Sequence, residues 1–200
     1  MILITGFGYR LKRFFKFEGI RFLFNNGYYD IDMNIKQRHF IQKSQIKDLK
    51  DDILSQYDEK ILAQIIPDKA KIEFIQTEAG DVLYAINNEL RLWKSKEGYI
   101  PVLTLLLENK VNLKKVVVDM GAIRFVANGA DIMRPGITDI DPSIKKGDII
   151  NIVDETHDRS LAVGKALYDA NEMETKKSGK VVKNLHTIQD AVWRFEKSFS

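Results

Sequence analysis

The hydrophobic positions that follow residue 33 first have the spacing of an amphipathic helix. Apolar side chains recur three or four residues apart with charged residues between them, at Ile46, Leu49, Ile53 and Leu54. Ser44 stands just before them and is a residue type that caps helices, so the first helix is predicted to begin there. A second, shorter helix is predicted from Asp58 to Ile65, because the helical conformation is disfavoured before Pro67.

The pattern then changes to the alternation that is typical of β-strands. Apolar side chains occupy every second position in two runs, Ile72 and Phe74, then Val82, Tyr84 and Ile86. Gly80 and the pair Asn87-Asn88 supply turns between and after these runs. The segment from Ile100 to Glu108 is apolar almost throughout and fits either helix or buried strand; we predict a helix. Residues 33–112 are therefore expected to form a small α+β domain.

Short β-branched runs separated by glycines dominate residues 113–197. A strand is predicted at Val116 to Val118, and Lys146-Gly147-Asp148 predicts a turn into a second strand at Ile149 to Val153. The run from Leu161 to Ala166 is its expected partner. Glycines recur at intervals that suit the turns and bulges of a barrel. The predicted fold class is α+β, a small α+β domain followed by a β-rich pseudo-barrel.

The first 32 residues are rich in glycine and aromatic side chains and follow neither period. Five basic residues stand among the aromatics, which suits an arm that stacks on bases and neutralises phosphates. The same composition suits an extension that packs on the domain, or residues upstream of the usual start. Met33 opens a segment that looks like a natural beginning. These interpretations stay open.

Composition narrows the class of protein. The chain of 200 residues has 44% hydrophobic and 30% charged residues, which is ordinary for a soluble globular protein. Without cysteine it has neither disulfides nor thiolate metal sites, which fits a cytoplasmic setting. The longest apolar runs, such as Val102 to Leu107, are too short to span a bilayer, and Met1 to Gly8 lacks the features of a signal peptide.

Net charge gives little support for nucleic-acid binding. The chain carries +3 in total, and residues 33–112 contain twelve basic and twelve acidic side chains. Residues 113–200 contain fourteen basic and thirteen acidic side chains. RNA binding would therefore require the fold to segregate basic side chains onto one face.

Candidate catalytic residues are few. The three histidines lack the paired spacing of a zinc site; they are His39, His157 and His186. Four aspartates, a residue type that binds magnesium, fit turn chemistry better; they are Asp119, Asp139, Asp141 and Asp148. The chain has no G-x-S-x-G motif and no P-loop. The sequence therefore predicts a non-catalytic protein without a cofactor or a metal.

The most informative segment runs from Val118 to Ile137. It contains two Gly-Ala pairs and a Pro-Gly turn, namely Gly121-Ala122, Gly129-Ala130 and Pro135-Gly136. Glycine permits a positive φ or the close approach of another backbone, and exposed N–H groups can bind phosphate oxygens. Arg124 and Arg134 would supply positive charge nearby. The alternative is that the glycines only turn the corners of a barrel.

This segment resembles the PUA domain, an RNA-binding module of pseudouridine synthases and archaeosine transglycosylases. The resemblance covers residues 113–196 and includes later motifs at Lys146 to Ile150, Ala162 to Ala166 and Asn184 to Trp193. Upstream, Arg38-His39-Phe40 and the segment from Ile100 to Asn109 extend it to the malignant T-cell-amplified sequence family and its archaeal relatives. The resemblance implies a pre-PUA domain at 33–112 and a PUA domain at 113–197, after an extension of uncertain role at 1–32.

Membership of this family implies a cytoplasmic RNA-binding protein of translation. It would bind tRNA or small-subunit rRNA in initiation, re-initiation or ribosome recycling. The small ribosomal subunit and a protein related to density-regulated protein are the implied partners. One alternative is a stand-alone PUA subunit that guides a tRNA- or rRNA-modifying enzyme, and another is a protein–protein scaffold without RNA affinity.

Position in the family motif also implies a set of RNA-facing residues. They are Gly121, Ala122, Arg124, Gly129, Ala130, Arg134, Gly136 and Lys165, with Lys114 and Lys115 at the domain entrance as phosphate contacts. Core positions are expected for Ile132, Met133, Val192, Trp193 and Phe195. The lysines around Ser178-Gly179 are expected to form a solvated loop or an additional rRNA contact; they are Lys176, Lys177, Lys180 and Lys183.

Overall fold

The computed structural model describes residues 33–199 and two short strands that precede them. These strands, β1 (Ile20–Arg21) and β2 (Asp30–Ile31), pair antiparallel. The interpretations given above for the first 32 residues otherwise fall outside the described part of the chain.

Residues 33–113, the five-stranded half, form an antiparallel sheet with three helices. In spatial order its strands are β3 (Ile35–Phe40), β4 (Ile72–Thr77), β5 (Val82–Ile86), β6 (Glu89–Ser95) and β7 (Gly98–Pro101). Its helices are α1 (Lys43–Leu54), α2 (Glu59–Ile65) and α3 (Leu103–Leu107). Asn87 and Asn88 both have a positive φ, as a two-residue hairpin turn requires, so the predicted turn is confirmed.

Helix α1 begins before Ser44, so the predicted cap is wrong. Gln42 is the capping residue, and its backbone N–H is donated to Oε1 of Gln45 at 2.9 Å. Side-chain amides therefore close this end instead of a hydroxyl. The prediction of α2 is confirmed, with Asp58 accepting the N–H of Ile61 at 2.8 Å.

The segment from Ile100 to Glu108 was predicted to be one helix, but it forms two elements, the end of a strand followed by a helix. Ile100 belongs to β7 and pairs with Trp93 of β6. Pro101 ends this strand, because proline has no N–H to donate to a sheet. The remaining apolar residues form α3 from Leu103, and their side chains pack into the core. One continuous apolar segment thus forms the end of a strand and then a helix.

Residues 114–199, the six-stranded half, form a mixed sheet with three α-helices and one short 3-10 helix at Arg134–Gly136. Its strands are β8 (Lys115–Val118), β9 (Ile132–Met133), β10 (Ile137–Ile140), β11 (Ile149–Asp154), β12 (Ser160–Ala166) and β13 (Lys180–Thr187), in the spatial order β10-β8-β11-β12-β13-β9. Its helices are α4 (Met120–Ala127), α5 (Ala170–Thr175) and α6 (Ala191–Ser198). Only the β8–β11 pair is parallel in this sheet, and the predicted pairing of β11 with β12 is confirmed. The α+β class is confirmed too.

The last helix, α6, packs on the five-stranded half. Val192 and Phe195 are buried in the core cluster that contains the residues of that half, as predicted. Full burial of such side chains stabilises a fold by about 1.5–3 kcal/mol each. Trp193 is only half-buried against this core, with Nζ of Lys197 4.5 Å from the centre of its ring.

Polar contacts reinforce this packing of α6. Oγ1 of Thr104 donates a hydrogen bond to Glu196 at 3.0 Å, and the Arg38 guanidinium lies over the Phe199 ring at 4.6 Å. A second core cluster lies within the six-stranded half, around Ile150 and Ile152. Helix α6 therefore joins the two halves.

Met133 is not a core residue, although the sequence predicted it to be one. Its neighbour Ile132 is buried, but Met133 is 50% exposed. Successive side chains of a strand point to opposite faces, so only one of the two can face the core. The short strand β9 lies at the edge of its sheet, where Met133 pairs with Lys180 of β13.

Candidate nucleic-acid interface

The first Gly-Ala pair forms the start of helix α4. Asp119 caps the helix by accepting the N–H of Ala122 at 2.8 Å, and its own N–H is donated to the Gly136 carbonyl at 3.0 Å. A Cβ on Gly136 would lie 3.1 Å from the Cβ of Ala122, which is tighter than ordinary packing. Gly136 therefore lets the Pro-Gly turn approach the first turn of the helix.

The second Gly-Ala pair ends the same helix. Gly129 has a φ of +84° and donates its N–H to Val126, while Ala130 donates its N–H to Phe125. These two bonds are those of the Schellman motif, in which glycine is favoured because it adopts the left-handed conformation without strain. Nδ2 of Asn184 on β13 donates to the carbonyls of Val126 and Ala130 and fixes this end to the sheet.

The two Gly-Ala pairs therefore mark the two ends of α4. They do not supply a set of free backbone N–H donors. The N–H groups of Ala122 and Ala130 are donated within the protein, and that of Met120 is donated to Glu155 at 3.1 Å. In the structure these N–H groups are engaged, so a phosphate would have to displace an internal acceptor to reach them. What the pairs provide is a short helix held closely against the sheet.

The outer face of α4 carries an aromatic and a cationic side chain next to each other. Phe125 is 66% exposed and Met120 is 55% exposed, and Arg124 lies exposed between them. Within residues 33–199 no ion pair forms at Arg124. An exposed aromatic ring beside a free cation is the combination that binds single-stranded nucleic acid by stacking and charge neutralisation.

Sequence reasoning had not placed Phe125 in the site. The signal lay in the helical period, because positions 120, 121, 124, 125 and 128 fall within about 140° of one another at 100° per residue. Val126 is buried on the opposite side, where α4 packs against the sheet. The choice of which side faces solvent requires the packing of α4 on β12 and β13, which the sequence alone does not provide.

The other predicted basic residues lie elsewhere and have partners inside the protein. Nζ of Lys114 contacts Asp148 at 2.7 Å, and Lys115 forms an ion pair with Asp158. Lys115 is the first residue of β8, and Lys114 directly precedes it. The residues of the Gly-Ala and Pro-Gly motifs thus lie on or against α4 with Arg124, whereas these two lysines are bound to carboxylates of the protein.

Arg134 is held by backbone carbonyls. Its guanidinium donates to the carbonyl of Met173 at 2.7 Å and to that of Ile137 at 3.0 Å. It is half-buried, and its own N–H is donated to Gly179. These contacts tie the turn after β9 to α5 and to the start of β13.

Lys165 is bound to a carboxylate from the other half. Glu97, in the turn between β6 and β7, accepts hydrogen bonds from Lys183 at 2.7 Å and from Lys165 at 3.0 Å. These two bonds lower the pKa of the Glu97 carboxyl to about 2, so it is ionised at neutral pH. The three side chains form a bridge between the halves.

Two of the aspartates that the sequence singled out occupy turns of the six-stranded half. Asp141 and Asp148 accept backbone N–H groups of nearby residues, as turn residues do. No group of three or more His, Asp or Glu side chains in the described part of the chain is arranged to hold a metal ion. In the same residues no helix has the length and apolar composition needed to cross a bilayer.

Two family models match the chain over the halves described above. Residues 31–109 match the Pre-PUA-like domain, and residues 114–188 match the PUA domain. A solved structure from Thermoplasma acidophilum, described as a conserved PUA domain protein, superimposes with a TM-score of 0.63 at 29% identity; the match covers 82% of this chain and 100% of that one. The fold and these matches define a protein with a pre-PUA domain followed by a PUA domain.

Curated relatives narrow this class to one family. Translation machinery-associated protein 20 of Saccharomyces cerevisiae is 30% identical, over 81% of this chain and 94% of the relative. Malignant T-cell-amplified sequence 1 of Rattus norvegicus is 30% identical, over 85% of this chain and 97% of the relative. The chain belongs to the malignant T-cell-amplified sequence family, as the sequence motifs predicted.

Proposed function

We propose that this protein is a non-catalytic RNA-binding factor of the cytoplasmic translation machinery, and that it binds tRNA or small-subunit rRNA through the outer face of α4. The exposed pair of Arg124 and Phe125 carries this proposal. The family, with a relative named for its association with the translation machinery, supports the assignment to translation. We further propose a role in initiation, re-initiation or recycling, on the small ribosomal subunit, with a partner related to density-regulated protein.

In this mechanism the protein recognises RNA without reacting with it. A base of an unpaired RNA segment stacks on the Phe125 ring, a contact that contributes about 1–3 kcal/mol per base. The Arg124 guanidinium neutralises an adjacent phosphate, and the Gly-Ala pairs keep the helix short and close to the sheet. We assign residues 113–197 to the RNA-binding domain and residues 33–112 to a domain that docks the ribosome or partner.

Alanine and glutamine substitutions on α4 test this proposal. Phe125→Ala is expected to weaken binding to bulk tRNA or purified small-subunit rRNA about tenfold or more, since stacking is lost. Arg124→Gln is expected to weaken it and to make the slope of log affinity against log salt shallower by about one. Fluorescence anisotropy across a salt series measures both quantities.

Matched controls separate the site from general effects. Phe40→Ala removes another strongly exposed phenylalanine, 60% accessible on β3, and Lys71→Gln removes an exposed charge from the five-stranded half. Both are expected to bind RNA like the parent protein. Equal losses in the controls and in the α4 variants would contradict the proposed site. Recovery of an RNA-modifying enzyme, without small-subunit components, in affinity purification would favour the accessory-subunit alternative.

A further inference from the structure

Helix α1 carries three lysines on one side, which we call the lysine stripe: Lys43, Lys47 and Lys50. Their spacing of four and three residues places them within about 60° of one another and along about 10 Å of the helix axis. Lys43 and Lys47 are exposed, and Lys50 is half-buried. The buried residues of α1, Leu49 and Ile53, lie on another side of the helix, toward the core.

The lysine stripe has no carboxylate partner within residues 33–199. None of its three ammonium groups forms an ion pair there, although Asp51 stands one turn after Lys47. In contrast, six lysines of the six-stranded half are each bound to a carboxylate; they are Lys114, Lys115, Lys145, Lys165, Lys180 and Lys183. The stripe therefore offers three cations that require no internal bond to be broken.

The position of Lys43 adds a second observation. It is the first residue of α1, at the positive end of the helix dipole, where a cation is disfavoured and a carboxylate is favoured. Other helices of the chain follow the favoured pattern: Asp58, Asp119 and Asp190 accept first-turn N–H groups of α2, α4 and α6. The first turn of α1 has no acidic residue and is capped by amides. The Lys43 ammonium and the positive end of the helix dipole thus lie at the same end of α1, with no acidic residue in the first turn.

We propose that the lysine stripe is a second RNA-binding surface, which holds an RNA phosphate backbone against the five-stranded half. Lysine is a compact point charge, suited to phosphates and indifferent to base sequence. Three such contacts along one helix add affinity through counterion release, and they fix the register of the RNA on the five-stranded half. This inference rests on the proposed RNA-binding function and assigns to that half a direct share in it.

Neutralising the lysine stripe tests the inference. The triple variant K43Q/K47Q/K50Q keeps good helix formers at all three positions. Its affinity for bulk tRNA and for purified small-subunit rRNA is measured over a salt series by fluorescence anisotropy. We expect weaker binding at low salt, and a slope of log affinity against log salt that is shallower by about three. Thermal unfolding at the parent temperature verifies the fold of the variant.

The control has the same change in net charge. K60Q/K69Q/K71Q removes three exposed lysines of the same half, none of which forms an ion pair in the described part of the chain. It is expected to retain a slope much closer to that of the parent protein. Equal slopes for the two triple variants would overturn the inference, because they would show an effect of net charge alone.

Other outcomes separate the inference from the proposed function. If Phe125→Ala weakens RNA binding while the stripe variant binds like its control, α4 remains the site and the stripe is not a second one. If the parent protein binds neither RNA, both the function and the inference fail. Stripe-dependent binding to vesicles of phosphatidylcholine and phosphatidylserine, with RNA binding unchanged, would assign the stripe to a membrane surface and overturn the inference.

Discussion

The lysines that the family motif assigned to RNA and the lysines of the α1 stripe differ in whether they are bound to a carboxylate. In the six-stranded half, lysines such as Lys114 and Lys165 are bound to carboxylates, whereas the lysine stripe of α1 has no such partner among the described residues. A phosphate that approaches a paired lysine must compete with its carboxylate. One that approaches an unpaired lysine releases only water and counterions. We therefore expect an unpaired lysine to bind phosphate at a lower cost than a paired one where the RNA reaches both.

Among the variants that test this comparison, Arg134→Met is expected to have the largest effect on the free energy of unfolding. The substitution keeps much of the side-chain volume but removes the donors to the carbonyls of Met173 and Ile137. Loss of the charged hydrogen bonds from the half-buried guanidinium to these carbonyls is expected to lower the free energy of unfolding by about 2 kcal/mol, measured in urea. RNA affinity of the folded variant should stay at the parent value. A stable variant with weakened RNA binding would return Arg134 to the RNA-facing set.

Glu97→Gln is expected to have a smaller effect on stability than Arg134→Met, and it also tests whether Lys165 and Lys183 lie near bound RNA. The Glu97 side chain is 23% exposed, so loss of its ion pairs should lower the free energy of unfolding by about 1 kcal/mol at neutral pH. The substitution releases Lys165 and Lys183 from their carboxylate. RNA affinity should rise if these lysines lie near the bound RNA, and unchanged affinity would place them outside the interface.

The pH dependence of stability distinguishes Glu97 from its glutamine variant. Hydrogen bonds from Lys183 and Lys165 hold the pKa of the folded carboxyl at about 2, below its ordinary value of 4.5. Its stabilising contribution is therefore complete above pH 4.5 and is lost as the pH falls toward 2. In urea unfolding, the difference between the parent protein and Glu97→Gln should shrink across this window. A difference that is constant with pH would show that the carboxylate charge is not its cause.

The smallest effect on the free energy of unfolding is expected for Lys115→Gln. Its ion pair with Asp158 joins two exposed side chains, and such pairs contribute about 0.2–1 kcal/mol. Both the free energy of unfolding and RNA affinity should stay close to the parent values. A salt slope shallower by one for this variant would show that RNA displaces Asp158, and pairing would then not separate the two classes of lysine.

The elements whose formation depends on residues close together in the sequence could be predicted from the sequence. Alternation located β5, the turn at Lys146-Gly147-Asp148 located the start of β11, and the Asn87-Asn88 pair located a hairpin turn, because each signal acts over a few residues. The Gly-Ala and Pro-Gly motifs indicated the family only together with the later PUA motifs and the upstream segments.

Contacts between distant parts of the chain could not be predicted in this way. The bond between Glu97 and Lys165 joins residues that are 68 positions apart, and it depends on how the two halves pack. The exposure of Phe125 depends on which side of α4 rests on the sheet. These features decide which residues face solvent, and the family motif does not contain them. The motif alone therefore assigned to RNA several cations that form bonds inside the protein.

The packing of α6 has a consequence for how the chain is synthesised. Val192 and Phe195, close to the C-terminus, complete the core of the five-stranded half, which begins at Met33. The ribosome releases a chain from its N-terminus onward, so this first half emerges before the side chains that close its core. Its final packing must await the synthesis of α6. Loss of α6 would therefore leave apolar surface exposed in the half that was made first.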